Sequence, residues 1–225
     1  VKYLAVFLAL AIAPLAVAAQ DIITASQFFD QVAERYAQVE DYQAKIRITS
    51  GKDTMVGTIA FKSPSLLRVD FTEPADQVIA FDGQTLTVYI PGYRAILSQS
   101  ATGKAGAGSA SLASREGLKM MKRNYGVAFE KDPTPVPLED AAGETAVLLV
   151  LTRSTVSEGF KTIKLYVNPE SKLIRRMEGW TLGGDKIGFD FTGMTINAGI
   201  PASRFLYDSP ASANVYNNFL FKTEE

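Results

Sequence analysis

The feature that most restricts how this chain can fold is an alternation of apolar and polar residues, broken every few positions by a turn-forming pair. From Gln43 onward, Ala44, Ile46 and Ile48 alternate with Lys45 and Arg47, the period of a strand with one wet face. Further strands are predicted over 54–62, 66–72, 77–81, 85–90 and 94–98, divided by Ser63-Pro64, Glu73-Pro74, Asp82-Gly83 and Pro91-Gly92. Asp82-Gly83 is the clearest hairpin signal among them. A second run covers 146–152, 161–167, 173–180 and 186–196, and 215–221 reads as a last strand after a loop at 200–205. Neither run has a helix after each strand, which disfavours a parallel α/β sheet, and one antiparallel sheet of about ten to eleven strands is expected.

Two segments carry the helical period instead. Over 24–42, Thr24 and Gln27 fit a capping box, and Phe28, Val32, Tyr36 and Val39 recur on one face. Residues 100–114 are rich in Gly, Ala and Ser and read as a flexible loop, and 111–124 then forms a helix. That helix sets Arg115, Lys119, Lys122 and Arg123 beside Leu118, Met120 and Met121, a pattern that fits a packed surface helix and a mobile cover equally well. The proline-rich 132–137 is expected to be a stiff connector.

The strands share one stripe design. Leu67, Val69 and Phe71 point one way while Arg68 and Asp70 point the other. Ile59 and Phe61, then Leu86, Val88 and Ile90, then Ile163 and Leu165, then Ile187, Phe189 and Phe191 make equivalent stripes. A wide sheet with one apolar face curls, and must cover that face with helices, close it with its own side chains or fill it with a ligand. Periodicity alone does not separate a filled barrel or sandwich from a hollow one.

Composition removes most chemistry. The 225 residues include no His and no Cys, which excludes an imidazole base, a thiolate nucleophile, a Cys/His zinc site and a disulfide. Ser109, Ser111 and Ser114 therefore have no triad to join. Asp70 with Asp76, and Asp185 with Asp190, are carboxylate pairs of a kind that any acidic chain contains by chance. Gly103 to Gly108 lacks the strand–turn–helix context and terminal Gly-Lys-Ser/Thr of a phosphate loop. Metal, cofactor and catalytic residues are all expected to be absent. A net charge of -1 gives no electrostatic reason for a nucleic-acid partner.

The beginning of the sequence points to export. Lys2 precedes an apolar run from Leu4 to Leu15, and Ala16-Val17-Ala18-Ala19 supplies small residues before Gln20-Asp21. This predicts a cleavable signal peptide over 1–19, with 20–225 as a single domain carrying a helical insertion near 109–124.

Specific residues then carry a resemblance. Gly57-Thr58-Ile59-Ala60-Phe61-Lys62-Ser63-Pro64, Leu66-Leu67-Arg68-Val69-Asp70-Phe71, Pro74, and Asp82-Gly83-Gln84-Thr85-Leu86-Thr87-Val88-Tyr89 resemble the N-terminal half of the periplasmic outer-membrane lipoprotein carrier (LolA) family. Ile200-Pro201-Ala202-Ser203-Arg204-Phe205, followed by Ser209-Pro210, is similar to its closing segment.

The resemblance implies an open, incomplete β-barrel with a helical lid and a hydrophobic cavity for the acyl chains of a lipoprotein or lipid. It implies a periplasmic monomer that is loaded by an inner-membrane ATP-driven transporter, and it leaves room for an outer-membrane acceptor. Ile59, Phe61, Leu67, Val69, Phe71, Leu86, Val88, Ile163, Leu165, Phe189 and Phe191 would line the cavity, and Leu118, Met120 and Met121 would belong to the lid. Glutamate at 67 or 71 would then abolish lipid retention and leave a folded β protein. Well-known members carry an arginine between the lysine and the proline of this strand, where it helps latch the lid; this chain has Ser63 there. Arg68 is nearby but is expected to face outward.

Overall fold

The computed structural model describes residues 23–100, 114–139, 141, 143–154 and 159–219. The predicted signal peptide, most of the Gly/Ala/Ser-rich loop and the first residues of the predicted helix at 111–124 lie outside them.

Helix α1 spans Ala25–Ala37 and starts as its sequence dictates: Thr24 Oγ1 accepts from the Gln27 N–H at 3.2 Å, and the Gln27 side chain accepts from the Thr24 N–H at 2.9 Å. It stops well before residue 42, where the helical period had pointed. Strand β1 (Asp41–Ser50) is claimed by two long-range ladders, to β2 (Asp53–Lys62) and to β12 (Lys186–Ile196). Asn197 fastens the exchange point, its side chain accepting from Glu40 N–H at 2.8 Å and its own N–H donating to Asp41 O at 2.8 Å. Tertiary pairing thus overrides local helical preference.

The chain continues through β3 (Leu66–Glu73), β4 (Val78–Phe81), β5 (Thr85–Ile90) and β6 (Ala95–Ser100). Helix α2 (Arg115–Asn124) runs directly into β7 (Tyr125–Phe129), followed by the short β8 (Val136–Pro137). The second run is β9 (Thr145–Arg153), β10 (Thr162–Val167), β11 (Ile174–Trp180) and β12, and β13 (Asn214–Asn217) closes the described chain. At Asp82-Gly83 the hairpin forms as expected: Gly83 takes φ +98°, and Asp82 Oδ1 accepts from the backbone of Gln84 and Thr85.

All strands join one sheet in the order β13-β6-β5-β4-β3-β2-β1-β12-β11-β10-β9-β7, with β8 also on β9. The order does not close on itself, so the barrel is open between β13 and β7. The 13 strands exceed the expected number because β7 arises between the expected helix and connector, where no element was expected, and β8 within the connector. The arrangement is not wholly antiparallel either: β13 lies parallel to β6.

Both helices lie on the concave face. Phe28, Phe29, Val32 and Tyr36 of α1, with Leu118 and Met121 of α2, form one buried cluster with the inward residues of β1–β3 and β9–β12. Tyr36 also fixes α1 to β11, its hydroxyl oxygen accepting from Ile174 N–H at 3.1 Å, and burial pushes this phenol up to about 12.

The convex face is strapped by the segment after β12. Ile200 and Phe205 pack on Ala60 and Leu66, and buried Asp41 accepts from the N–H groups of Ala198 and Ile200 at 2.8 and 3.0 Å. Arg68 does face outward. It donates to Asp70 at 2.9 Å and to Leu206 O at 2.8 Å, while Arg204 pairs with the same carboxylate. Partial burial alone would raise the Asp70 pKa, but hydrogen bonds and charge from Arg68 and Arg204 outweigh it and hold it below the usual carboxylate range. A depressed carboxylate pKa contributes stability above its unfolded value of about 3.9, lost as pH falls through the folded value. Asp70→Asn is expected to cost about 1 kcal/mol at pH 7, a figure kept small by solvent screening of the half-buried cluster, and to flatten the acid limb of a stability-versus-pH curve. Urea melts from pH 7 down to pH 2 check this, and parallel curves for the two proteins would refute it.

The concave apolar face as a candidate ligand site

Directly opposed residues of antiparallel strands share a face, so the ladders place the inward side chains in rows. One row runs Tyr42, Phe61, Leu67, Phe81, Leu86 and Gln99. The next runs Ala44, Ile59, Val69, Ile79, Val88 and Leu97. A third joins Gly57 with Phe71, Ile46 and Phe191. A fourth carries Met55, Ile48, Phe189, Met177, Leu165, Leu149 and Phe129, and a fifth Ile187, Gly179, Ile163, Leu151 and Val127. The eleven strand residues expected in the cavity all stand in these rows.

Their exposure divides them. Ile59, Phe61, Leu67, Val69, Phe71, Ile163, Leu165 and Phe191 are buried in the cluster that holds α1 and α2. The helices therefore cover more of the sheet than their modest size suggests. This overturns one expectation: Leu67 and Phe71 are 7% and 4% exposed, so a glutamate at either would place a charge in the core and unfold the protein rather than leave it folded. Leu86, Val88 and Phe189 are half-buried, and only these three of the expected cavity residues have open surface.

Register adds four neighbours outside the expected cavity set, Ile48, Met55, Ile79 and Leu97, all half-buried and inward. The second row shows the gradient, from buried Ala44, Ile59 and Val69 to half-buried Ile79, Val88 and Leu97. The fourth shows it along the strands: Ile48, Met55 and Phe189 lie toward the end where β1 turns into β2 and β11 into β12. The apolar surface left uncovered thus lies on β4–β6 and at that hairpin end.

On the other side, α2 caps its own start through Ser114 Oγ, which accepts from Gly117 N–H at 3.1 Å. Leu118 and Met121 are buried and Met120 is half-buried. One exposed ion pair, Lys122 with Asp30, ties α2 to α1, and such pairs contribute little. Apolar contact is what holds this helix. Ser63 is exposed at the β2–β3 turn, where its N–H donates to Glu40 O at 2.7 Å.

Asp70 is held by Arg68 and Arg204, and Asp190 by Arg176. Among the described residues no group of three acidic residues is placed to hold a metal, and no helix is long and apolar enough to cross a membrane.

The family model described as outer membrane lipoprotein carrier protein LolA matches residues 30–208. The chain belongs to the LolA family. LolA-like proteins are binding and carrier proteins, and the open sheet with helices on its concave face is their fold. An uncharacterized conserved protein from Thermus thermophilus superposes with a TM-score of 0.55 at 13% identity, covering 86% of this chain and 98% of that one. MucB, solved in the complex structure of Pseudomonas aeruginosa MucA/MucB, gives 0.51 at 15% identity, covering 82% of this LolA-family chain and 61% of that one. No curated protein sequence matches the chain.

Proposed function

We propose that this protein is a periplasmic carrier that takes the acyl chains of a lipoprotein or lipid into its concave face and moves them between membranes. The observation that carries this reading is the graded cover of that face: two helices seal one half while Ile48, Met55, Ile79, Leu86, Val88, Leu97 and Phe189 keep open apolar surface on the other. Apolar surface gathered into one contiguous patch marks a ligand or partner site.

Energetics set the partners. Burying an acyl chain from water is worth roughly 0.8 kcal/mol per CH₂, so a chain once bound is held against release into water. Extraction from a bilayer gains almost nothing, because the donor phase is as apolar as the hollow. Loading therefore needs work from outside, which an inner-membrane ATP-driven transporter supplies, and an outer-membrane acceptor takes the cargo. Residues 1–19 serve as the export leader, and the rest acts as a monomer and not as an enzyme. Helix α2 is the movable cover, with Met120 and Met121 able to repack around irregular chains.

The likeness to MucB, whose structure was solved together with MucA, favours one alternative: a lipid-binding protein that regulates a protein partner instead of ferrying cargo. Natively purified protein extracted into organic solvent and examined by mass spectrometry tests the main reading. An acyl-bearing species in near-stoichiometric amount supports it. Extracts without one, together with no uptake of a fluorescent fatty acid, would overturn it.

A further inference from the structure

Among the described residues, the inward strand positions of β9 end in a cation. Arg153, the last residue of β9, follows Val147, Leu149 and Leu151 in the inward set and stands opposite Tyr125 of β7. It lies at the same hairpin end as Ile48, Met55 and Phe189, beside the C-terminal end of α2, where Ser154 N–H donates to Asn124 O at 2.9 Å. Its surroundings are apolar: Tyr125 and Phe160 pack on the core cluster, and the Tyr125 hydroxyl is already engaged, donating to Phe160 O at 2.8 Å. Gly159 passes alongside with φ +107°, where a Cβ would stand 3.6 Å from Arg153 Nη2.

Among the described residues, the Nε and Nη2 atoms of Arg153 are buried and have no hydrogen-bond partner. An arginine does not escape this cost by losing its proton, and a buried donor left unmade carries its full desolvation penalty. The other inward residues of β9 are aliphatic, so packing gives no reason for a guanidinium here. The two unsatisfied nitrogens are also a particular pair. Nε–H and Nη2–H form one edge of the planar fork, the edge that donates two parallel hydrogen bonds to a carboxylate or phosphate.

We propose that Arg153 is the headgroup site of the carrier, receiving a carboxylate or phosphate oxygen pair borne next to the acyl chain. The inference rests on the carrier reading and narrows it: the cargo is an anionic amphiphile, with its tail along the apolar rows and its charge at the end of β9. Cover and headgroup site are then linked, because the anion sits where α2 passes into β7.

The test uses the delipidated protein and displacement of a fluorescent fatty acid by palmitate, by methyl palmitate and by palmitoyl lysophosphatidic acid. Palmitate is expected to bind about tenfold more tightly than its ester, and Arg153→Gln to bring the acid down to the level of the ester. Tighter binding of the lysophosphatidic acid assigns the site to phosphate; equal or weaker binding assigns it to carboxylate. Equal affinities for acid and ester in the wild type, or a preference that survives Arg153→Gln, would overturn the headgroup site while leaving the carrier intact. If none of the three ligands binds, the carrier reading itself fails and takes this inference with it. Arg153→Met guards against a merely structural role: with the unpaired donors gone, its Tm is expected at or above that of the wild type. A clear fall in Tm would show that the guanidinium is there to hold the fold.

Discussion

Phe29→Ala is expected to lower the unfolding free energy by about 3–5 kcal/mol, the range for deleting a fully enclosed aromatic ring. Phe29 is 0% exposed on α1, between Phe28 and Val32 in the cluster that joins both halves of the sheet. Two costs add there: the transfer of the ring and the cavity it leaves, since the sheet on either side is tied by its ladders and does not collapse inward. The effect should be far larger than that of breaking the Lys122–Asp30 pair, whose side chains are 47% and 43% exposed and which is worth no more than about 1 kcal/mol. Equilibrium urea unfolding gives the comparison. A loss below about 1 kcal/mol for Phe29→Ala would mean that α1 is not part of the cooperative core.

The second large effect concerns binding. Ile79→Glu and Val88→Glu, made separately, are each expected to weaken uptake of a fluorescent fatty acid by at least about tenfold with the fold retained. Both side chains face inward and oppose each other across β4 and β5, yet both keep open surface. A carboxylate there stays hydrated in the empty protein and must be stripped of water when an acyl chain arrives, so the penalty falls on the complex and not on the free fold. Leu67→Glu supplies the contrast: the same carboxylate one strand away from Ile79 is enclosed and should abolish folding, seen as loss of the cooperative transition. Unchanged uptake in both Ile79→Glu and Val88→Glu would remove β4 and β5 from the site.

Asp70 separates strap from site. It lies on the opposite face from the inward rows, so Asp70→Asn should alter acid stability and leave fatty-acid uptake as it is. Arg153→Gln should do the reverse.

Much of this was legible in the residues themselves. Strict alternation at 67–71 and at 163–165 set which side chains face inward, because a strand has a period of two and a slip of one residue would put every apolar group in water. Thr24 and Gln27 marked the start of α1 because a capping box is made of neighbours in sequence. Asp82-Gly83 marked a hairpin for the same reason, and the absence of His and Cys limited the chemistry without any coordinates at all.

What sequence did not determine is what depends on distant partners. Helix α1 ends at Ala37 because β1 is drawn into ladders with β2 and β12, and no local signal records that competition. Strand β13 runs parallel to β6 because the strap returns from the far side of the sheet, and β7 exists because β9 offers it an edge. The division of the apolar rows into a sealed half and an open one was equally hidden: Ile59 and Val88 look alike in a sequence and lie in one row of the sheet, but the helices cover the first and not the second. Alternation says which way a side chain points; only the folded chain decides what stands in front of it, since burial depends on every element packed nearby and not on the residue's own neighbours.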